Sequence, residues 1–285
     1  MFYSPLRYPG GKNKLSKFIS NICKLNNING HYVEPYAGGA SVALYLLINK
    51  HVKKITINDF DQSIYAFWHS VLYHNLKFCR AINSAELTIE NWKRQREIQN
   101  RKSTADLFEL GFSTFFLNRT NRSGIINAGI IGGLAQKGKY KIDCRFNTDD
   151  LSNRIRLIGK HKDNIHLEKL NALDLIDKIQ KTNRSKNTIF YFDPPYFLKG
   201  QSLYMNSYEP TDHKEVSEKI KKIKNAKWIV SYDNVPEIQQ LYKGRGIEKI
   251  NYSFNHSAYS PREGKEVLFF SPNLDFIPKG NPTTY

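Results

Sequence analysis

The chain has 285 residues, enough for one large α/β domain carrying a sizeable insertion or for two small domains. Lys plus Arg number 43 against 26 Asp plus Glu, a formal charge of +17; this excess points to a polyanionic partner, with Lys-rich compositional bias as the bland alternative. Cys23, Cys79 and Cys144 are scattered, the eight histidines show no ligand spacing, and Met1–Gly11 has no apolar core, which argues against a disulfide framework, a metal site and a signal peptide.

Leu15, Phe18, Ile19 and Ile22 fall on one helical face before a first strand at His31–Tyr36. A helix at Ser41–Ile48, a strand at Lys54–Asn58 and a helix at Gln62–Leu76 follow. Further strands are expected at Ile165–Leu170, Thr188–Phe192, Trp228–Tyr232, Glu248–Phe254 and Glu266–Ser271. Strand–helix alternation of this kind implies a largely parallel sheet covered by helices on both faces. The longest apolar stretch, Ala40–Ile48, is too short to span a bilayer, and no basic amphipathic helix marks a terminus. The expectation is a soluble, cytoplasmic protein without a membrane partner.

Between about Asn75 and Lys162 the alternation stops. Helical segments are expected around Glu90–Gln99 and Ala105–Leu117, then a Gly- and Arg-rich loop or hairpin from Asn118 to Arg145. From Lys93 to Arg145 there are 11 basic residues and four acids, Glu97, Asp106, Glu109 and Asp143. The expected organisation is a discontinuous catalytic domain, residues 1–75 plus 163–285, and a mainly helical module inserted at 76–162.

Two constellations carry chemistry. In Tyr32-Val33-Glu34-Pro35-Tyr36-Ala37-Gly38-Gly39-Ala40-Ser41-Val42 a strand turns on small residues into a helix, which lets backbone N–H groups approach a nucleotide-like ligand. A tight turn between strand and helix is the bland alternative; Asp59, ending the next strand where ribose hydroxyls are read, tips the balance. The second is sharper. Thr188–Phe192 is a buried strand running into Asp193-Pro194-Pro195-Tyr196. Two prolines cannot continue a ladder, so the chain leaves the sheet with a fixed carboxylate, the Pro194 carbonyl and an aromatic face at Tyr196. Two acceptors on the hydrogens of an aromatic amine would aim its lone pair at an electrophile while Tyr196 stacks on an extruded base.

These pieces, in this order, resemble the Dam-like adenine-specific DNA methyltransferases in which the recognition module precedes the D-P-P-Y motif. The matching segments are Leu6-Arg7-Tyr8-Pro9-Gly10-Gly11-Lys12, the Glu34–Val42 loop, Asp59, Phe116-Leu117-Asn118-Arg119-Thr120 and Asp193–Tyr196. The resemblance implies a Rossmann-like, seven-stranded, mostly parallel sheet with the last strand antiparallel, binding S-adenosyl-L-methionine. It implies cofactor contacts from Tyr8, Lys12, Glu34, Tyr36, Gly38, Asp59, Asn171 and Asp193, with Lys12 on the cofactor carboxylate and Asn171 where the family often has Asp. Asp193, Pro194 and Tyr196 become the catalytic set. Double-stranded DNA becomes the partner, read by Asn118, Arg119, Asn121, Arg122, Lys139 and Arg145. Ala40 stands where the family often has Gly. A restriction endonuclease acting on the same site is a candidate partner, and no obligate protein partner is inferred. The alternatives are an RNA or protein methyltransferase on this fold, an inactive DNA-binding relative, and a nicotinamide oxidoreductase that leaves Asp193–Tyr196 unexplained.

Overall fold

The computed structural model describes residues 2–7, 10–182, 187–198, 208–255 and 263–285. They form two compact units, one of residues 12–59 with 164–285, the other of residues 1–11 with 60–163.

The first unit holds one seven-stranded sheet: β1 His31–Glu34, β2 Lys54–Asn58, β3 Ile165–Glu168, β4 Thr188–Phe192, β5 Lys227–Asp233, β6 Glu248–Asn255 and β7 Glu263–Phe270. The order is β3-β2-β1-β4-β5-β7-β6, and only β7 runs antiparallel to its neighbours. This is the Rossmann-like methyltransferase arrangement anticipated from sequence. All seven expected strands form, with ends differing by at most three residues. The chain order reverses between β1 and β4, so a ligand crevice belongs at the carboxyl ends of those strands.

Alternation along the strands builds the core. Val33, Phe190, Phe192, Val230 and Tyr232 pack with Leu175 and Ile176 of α8 (Ala172–Lys181), Val216 and Ile220 of α9 (Pro210–Lys221) and Ile238 of α10 (Pro236–Leu241). Phe18, Ile19 and Ile22 of α1 (Ser16–Leu25) are fully buried, with the Phe18 ring against Phe270. The helix α2 (Ser41–Ile48) is apolar nearly all round and buries Val42, Ala43, Leu44, Leu46 and Leu47.

The second unit is helical: α3 Gln62–Tyr73, α4 Asn75–Asn83, α5 Ile89–Asn100, α6 Leu107–Thr120 and α7 Thr148–Gly159. Its core is aromatic, with Phe67, Trp68, Phe78, Phe115 and Phe116 fully buried. Three expectations change here. The single helix predicted at Gln62–Leu76 is two, because the backbone of His74 leaves helical geometry between α3 and α4. The helix α3 packs on α6, so this unit begins at residue 60 rather than near 76. A Cβ at Gly111 would meet the Ala66 carbonyl at 2.4 Å, so that helix contact requires glycine. The helix α7, absent from the sequence expectation, buries Leu151, Ile155 and Ile158 at helical spacing beneath a polar surface. Among the described residues no helix is long and apolar enough to cross a membrane.

Candidate active site

The glycine loop after β1 is held from three sides. Glu34, 4% exposed, accepts from the Tyr32 hydroxyl (2.9 Å) and from the backbone N–H of Ala43 (3.0 Å) in α2. Burial pushes its carboxyl up to about 8, against the lowering effect of those two hydrogen bonds. Asp59, half-buried at the end of β2, accepts the Gly38 N–H at 2.9 Å. Asn58, 1% exposed, donates to the carbonyls of Pro35 and Leu170 and accepts from the Leu170 N–H, stapling the ends of β1, β2 and β3.

Gly38 and Ala40 both adopt left-handed backbone, at φ 46° and 47°. Ala40 therefore takes the conformation that glycine would take without steric cost, at about 1–2 kcal/mol. Tyr36 is half-buried, and its hydroxyl lies 2.8 Å from that of Tyr208. Asn171 is exposed at the mouth of α8 and caps it, accepting the Leu173 N–H at 2.9 Å.

The D-P-P-Y segment leaves β4 into a polar cluster. The Lys12 ammonium, 7% exposed, lies 2.9 Å from Asp193 Oδ1, donates to the Tyr196 hydroxyl at 2.8 Å, and is 3.6 Å from Glu266 Oε1. Asp193 Oδ1 also accepts the Ser231 hydroxyl at 2.6 Å, and Ser231 accepts from the Tyr191 hydroxyl at 2.9 Å. Glu266 accepts from the hydroxyls of Tyr196 and Tyr252. Beyond Tyr196, the N–H groups of Phe197 and Leu198 each bond the Asp233 carboxylate at 3.0 Å, which fixes the exit from the sheet.

Burial raises the Asp193 carboxyl above the usual carboxylate range; Lys12 opposes this and Glu266 reinforces it. Burial alone would lower the Lys12 ammonium, but Asp193, then Tyr196 and Glu266, reverse this and hold it well above its ordinary value.

Several sequence assignments are corrected. Tyr196 is no open aromatic face: it is 6% exposed, its hydroxyl drawn to Lys12 and Glu266. Asn118, 2% exposed in the last turn of α6, spends its amide on the Arg7 N–H and on the carbonyls of Arg7 and Gly124. Asn121, fully buried, accepts the Trp92 indole N–H and donates to the carbonyls of Ile125 and Ile126. Both amides are structural knots of the helical unit rather than projecting base readers.

Arg119 is 8% exposed, and its buried Nε finds no hydrogen-bond partner among the described residues. Burial and the neighbouring Arg154, Arg7 and Arg145 bring its guanidinium down to about 10, with Asp150 opposing. Arg122, Lys139 and Arg145 are exposed. Tyr8 lies outside the described residues.

The sequence expectation missed Glu266, Ser231, Asp233 and Asn58. Ser231, Asp233 and Asn58 are polar residues within or ending largely apolar strands, and that was the available signal; Glu266 sits in the polar first half of β7 and carried none.

A family model described as D12 class N6 adenine-specific DNA methyltransferase matches residues 8–255. The Type II methyltransferase M.MjaIII from Methanocaldococcus jannaschii is 24% identical over 269 residues, covering 86% of this chain and 89% of its own. Among solved structures, the rRNA methyltransferase aviRa from Streptomyces viridochromogenes is similar with a TM-score of 0.41 and 10% identity, over 93% of this chain and 86% of that one. A precorrin-6y C5,15-methyltransferase from Geobacter metallireducens gives 0.34 and 6%, over 88% and 84%.

Proposed function

The chain belongs to the D12 class N6 adenine-specific DNA methyltransferase family, and on that premise we propose that Asp193, the Pro194 carbonyl and Tyr196 carry the transfer. The enzyme uses S-adenosylmethionine to methylate the exocyclic nitrogen of adenine in DNA. When bound, the cofactor supplies an electrophilic methyl group on a sulfonium. The loop suits such a ligand: Gly38 and Ala40 turn their backbone left-handed, and the half-buried Asp59 carboxylate stands beside Gly38. Asp59 would take the ribose hydroxyls, Asn171 an edge of the cofactor adenine and Tyr36 a further contact, whereas Lys12, expected on the cofactor carboxylate, has its buried ammonium against Asp193, Tyr196 and Glu266.

The observation that carries the catalytic assignment is the fixed Asp193 carboxylate. Its Oδ1 is occupied by Lys12 and Ser231, while Oδ2 has no hydrogen-bond partner among the described residues. Oδ2 and the Pro194 carbonyl accept the two amine hydrogens of a flipped adenine, which turns the nitrogen lone pair out of the ring plane. The bound cofactor would supply the methyl group, its sulfur keeping the carbon–sulfur bonding pair, while Asp193 and the Pro194 carbonyl hold the amine in line for attack. The amine nitrogen then discharges its positive charge by releasing one hydrogen as a proton to water. Tyr196 walls the base site, tethered through its hydroxyl. The test is methyl transfer to duplex DNA by Asp193→Ala: loss on every DNA sequence with duplex binding retained supports the assignment, and near-normal turnover removes it.

The finer Dam-like reading is supported by the motif order, with the basic segment before D-P-P-Y. In that reading the helical unit of residues 60–163 is the recognition module. Arg122, Lys139 and Arg145 reach DNA, and the partly unsatisfied Arg119 with Arg7, Arg145 and Arg154 suits a backbone phosphate. The relative named as a Type II methyltransferase supports a restriction–modification role, with a cognate endonuclease as partner and the nucleoid of a prokaryotic cytoplasm as setting. Mapping methyladenine in the source genome tests this: an unmodified genome argues against it.

A further inference from the structure

A half-buried carboxylate, Asp193, and a buried one, Glu266, share one ammonium in the site, and the transfer reaction does not explain the second. Glu266 is 2% exposed, buried more deeply than Asp193. A carboxylate is costly to bury without compensation, and Glu266 faces a lysine already paired at 2.9 Å with Asp193. Its place follows from topology. The strand β7 runs opposite to β5, and the register sets Glu266 beside Asp233 at the carboxyl end of β5. A residue near the start of β7 therefore arrives at the edge where the parallel strands deliver Asp59, Asp193 and Asp233.

Resting on the reading of Asp193 above, we infer that Glu266 is a positioning residue for methyl transfer, acting on Asp193 through Lys12 and Tyr196. Its two oxygens are divided: Oε1 takes the Tyr196 hydroxyl and faces Lys12, and Oε2 takes the Tyr252 hydroxyl of the neighbouring strand. Lys12 is thereby held between two anions and a phenol, and its grip on Asp193 Oδ1 is fixed. Ser231, backed by Tyr191, holds the same oxygen from the other side. The carboxylate plane of Asp193 is locked by partners on one oxygen, and the other is presented to the amine. Glu266 also gives the cluster one more negative than positive charge when both acids are ionised. A positive charge developing on the attacking nitrogen is stabilised by that excess.

The test compares Glu266→Gln and Tyr252→Phe with the unaltered protein, measuring kcat, KM for duplex DNA, cofactor affinity by calorimetry, and kcat against pH. Glu266→Gln should lower kcat by about tenfold or more, the worth of one lost hydrogen bond, with KM and cofactor affinity within about twofold. Without the Glu266 charge, Asp193 should ionise more easily, so the acid limb of the profile should move to lower pH. A purely packing role would leave that limb where it was. Tyr252→Phe removes one donor to Glu266 at the periphery and should lower kcat several-fold with KM unchanged, which serves if the first variant fails to fold. Unchanged kcat in either folded variant, or an unmoved acid limb in Glu266→Gln, overturns the inference. Asp193→Ala measured in parallel separates the two readings. If it is inactive while Glu266→Gln is normal, only this inference fails; if it is active, the catalytic assignment itself fails.

Discussion

Lys12 Nζ stands 2.9 Å from Asp193 Oδ1, joining the one-turn helix before α1 to the end of β4. Lys12 opposes the effect of burial on Asp193, while Glu266 reinforces it. Removing the lysine should therefore act on the pH profile with the opposite sign to removing Glu266. In Lys12→Met, Asp193 keeps its proton to higher pH, and a rate that needs the carboxylate is lost at higher pH than in the parent enzyme. A kcat–pH profile checks this; an unmoved or downward-shifted acid limb contradicts it. Stability should also fall, by up to about 3–5 kcal/mol and less to the extent that Asp193 reaches solvent.

Asp59 and Gly38 form the second link at the sheet edge. Asp59→Ala removes the acceptor of the Gly38 N–H and the carboxylate proposed for the ribose. S-adenosylmethionine affinity should weaken by roughly 1–3 kcal/mol, the worth of a charge-assisted hydrogen bond. Calorimetry on the folded variant decides it. Unchanged affinity removes Asp59 from the cofactor site and leaves it as a loop fastener.

Glu34 invites a pH experiment on stability. Its folded-state value, about 8, lies above the ordinary value of 4.5, so the folded state holds this proton more tightly than the unfolded chain. The sign follows: the contribution is fully present below about pH 4.5 and is lost as pH rises through about 8. Glu34→Gln mimics the neutral acid and still accepts from Tyr32 and Ala43. Denaturant titrations should show that the variant loses less stability than the parent between pH 5 and pH 8, a difference of order a few kcal/mol. Equal slopes would show that Glu34 does not keep its proton.

Much of this was legible in the sequence, because strand identity depends on short apolar runs and those runs are unambiguous here. Thr188–Phe192 is apolar or β-branched throughout, and Asp193–Tyr196 can only be an exit from a sheet. The position of Asp59 beside the glycine loop was legible from spacing, since the end of a second strand is a fixed place relative to that loop. Glu266 was not, because its role depends on β7 running antiparallel and on register with β5, and neither is written in local periodicity. Asn118 and Asn121 misled for a related reason. Their residue types suit base recognition, but whether an amide is free or spent on backbone depends on where α6 stops, and α6 runs to Thr120.

The burial of those amides leads to a prediction that separates scaffold from reader within one short segment. Asn118→Ala leaves the Arg7 N–H and the carbonyls of Arg7 and Gly124 without their partner, and should cost about 2–4 kcal/mol of stability. Its effect on site preference should be small in the fraction that remains folded. Arg122, Lys139 and Arg145 are exposed, so their removal should leave the melting temperature nearly unchanged and act on DNA instead. A residue that contacts phosphate lowers affinity for all sequences alike and reduces the slope of log K against log salt by about one. A residue that reads a base costs roughly 1–3 kcal/mol on the preferred site and relaxes discrimination at one position. Thermal melts, salt titrations and methylation rates over a library of single-base site variants distinguish the three behaviours. If Asn118→Ala melts normally and alters discrimination, its amide is available to DNA and the scaffold role fails. If none of the three cationic variants moves either the salt slope or the discrimination profile, this segment does not touch DNA.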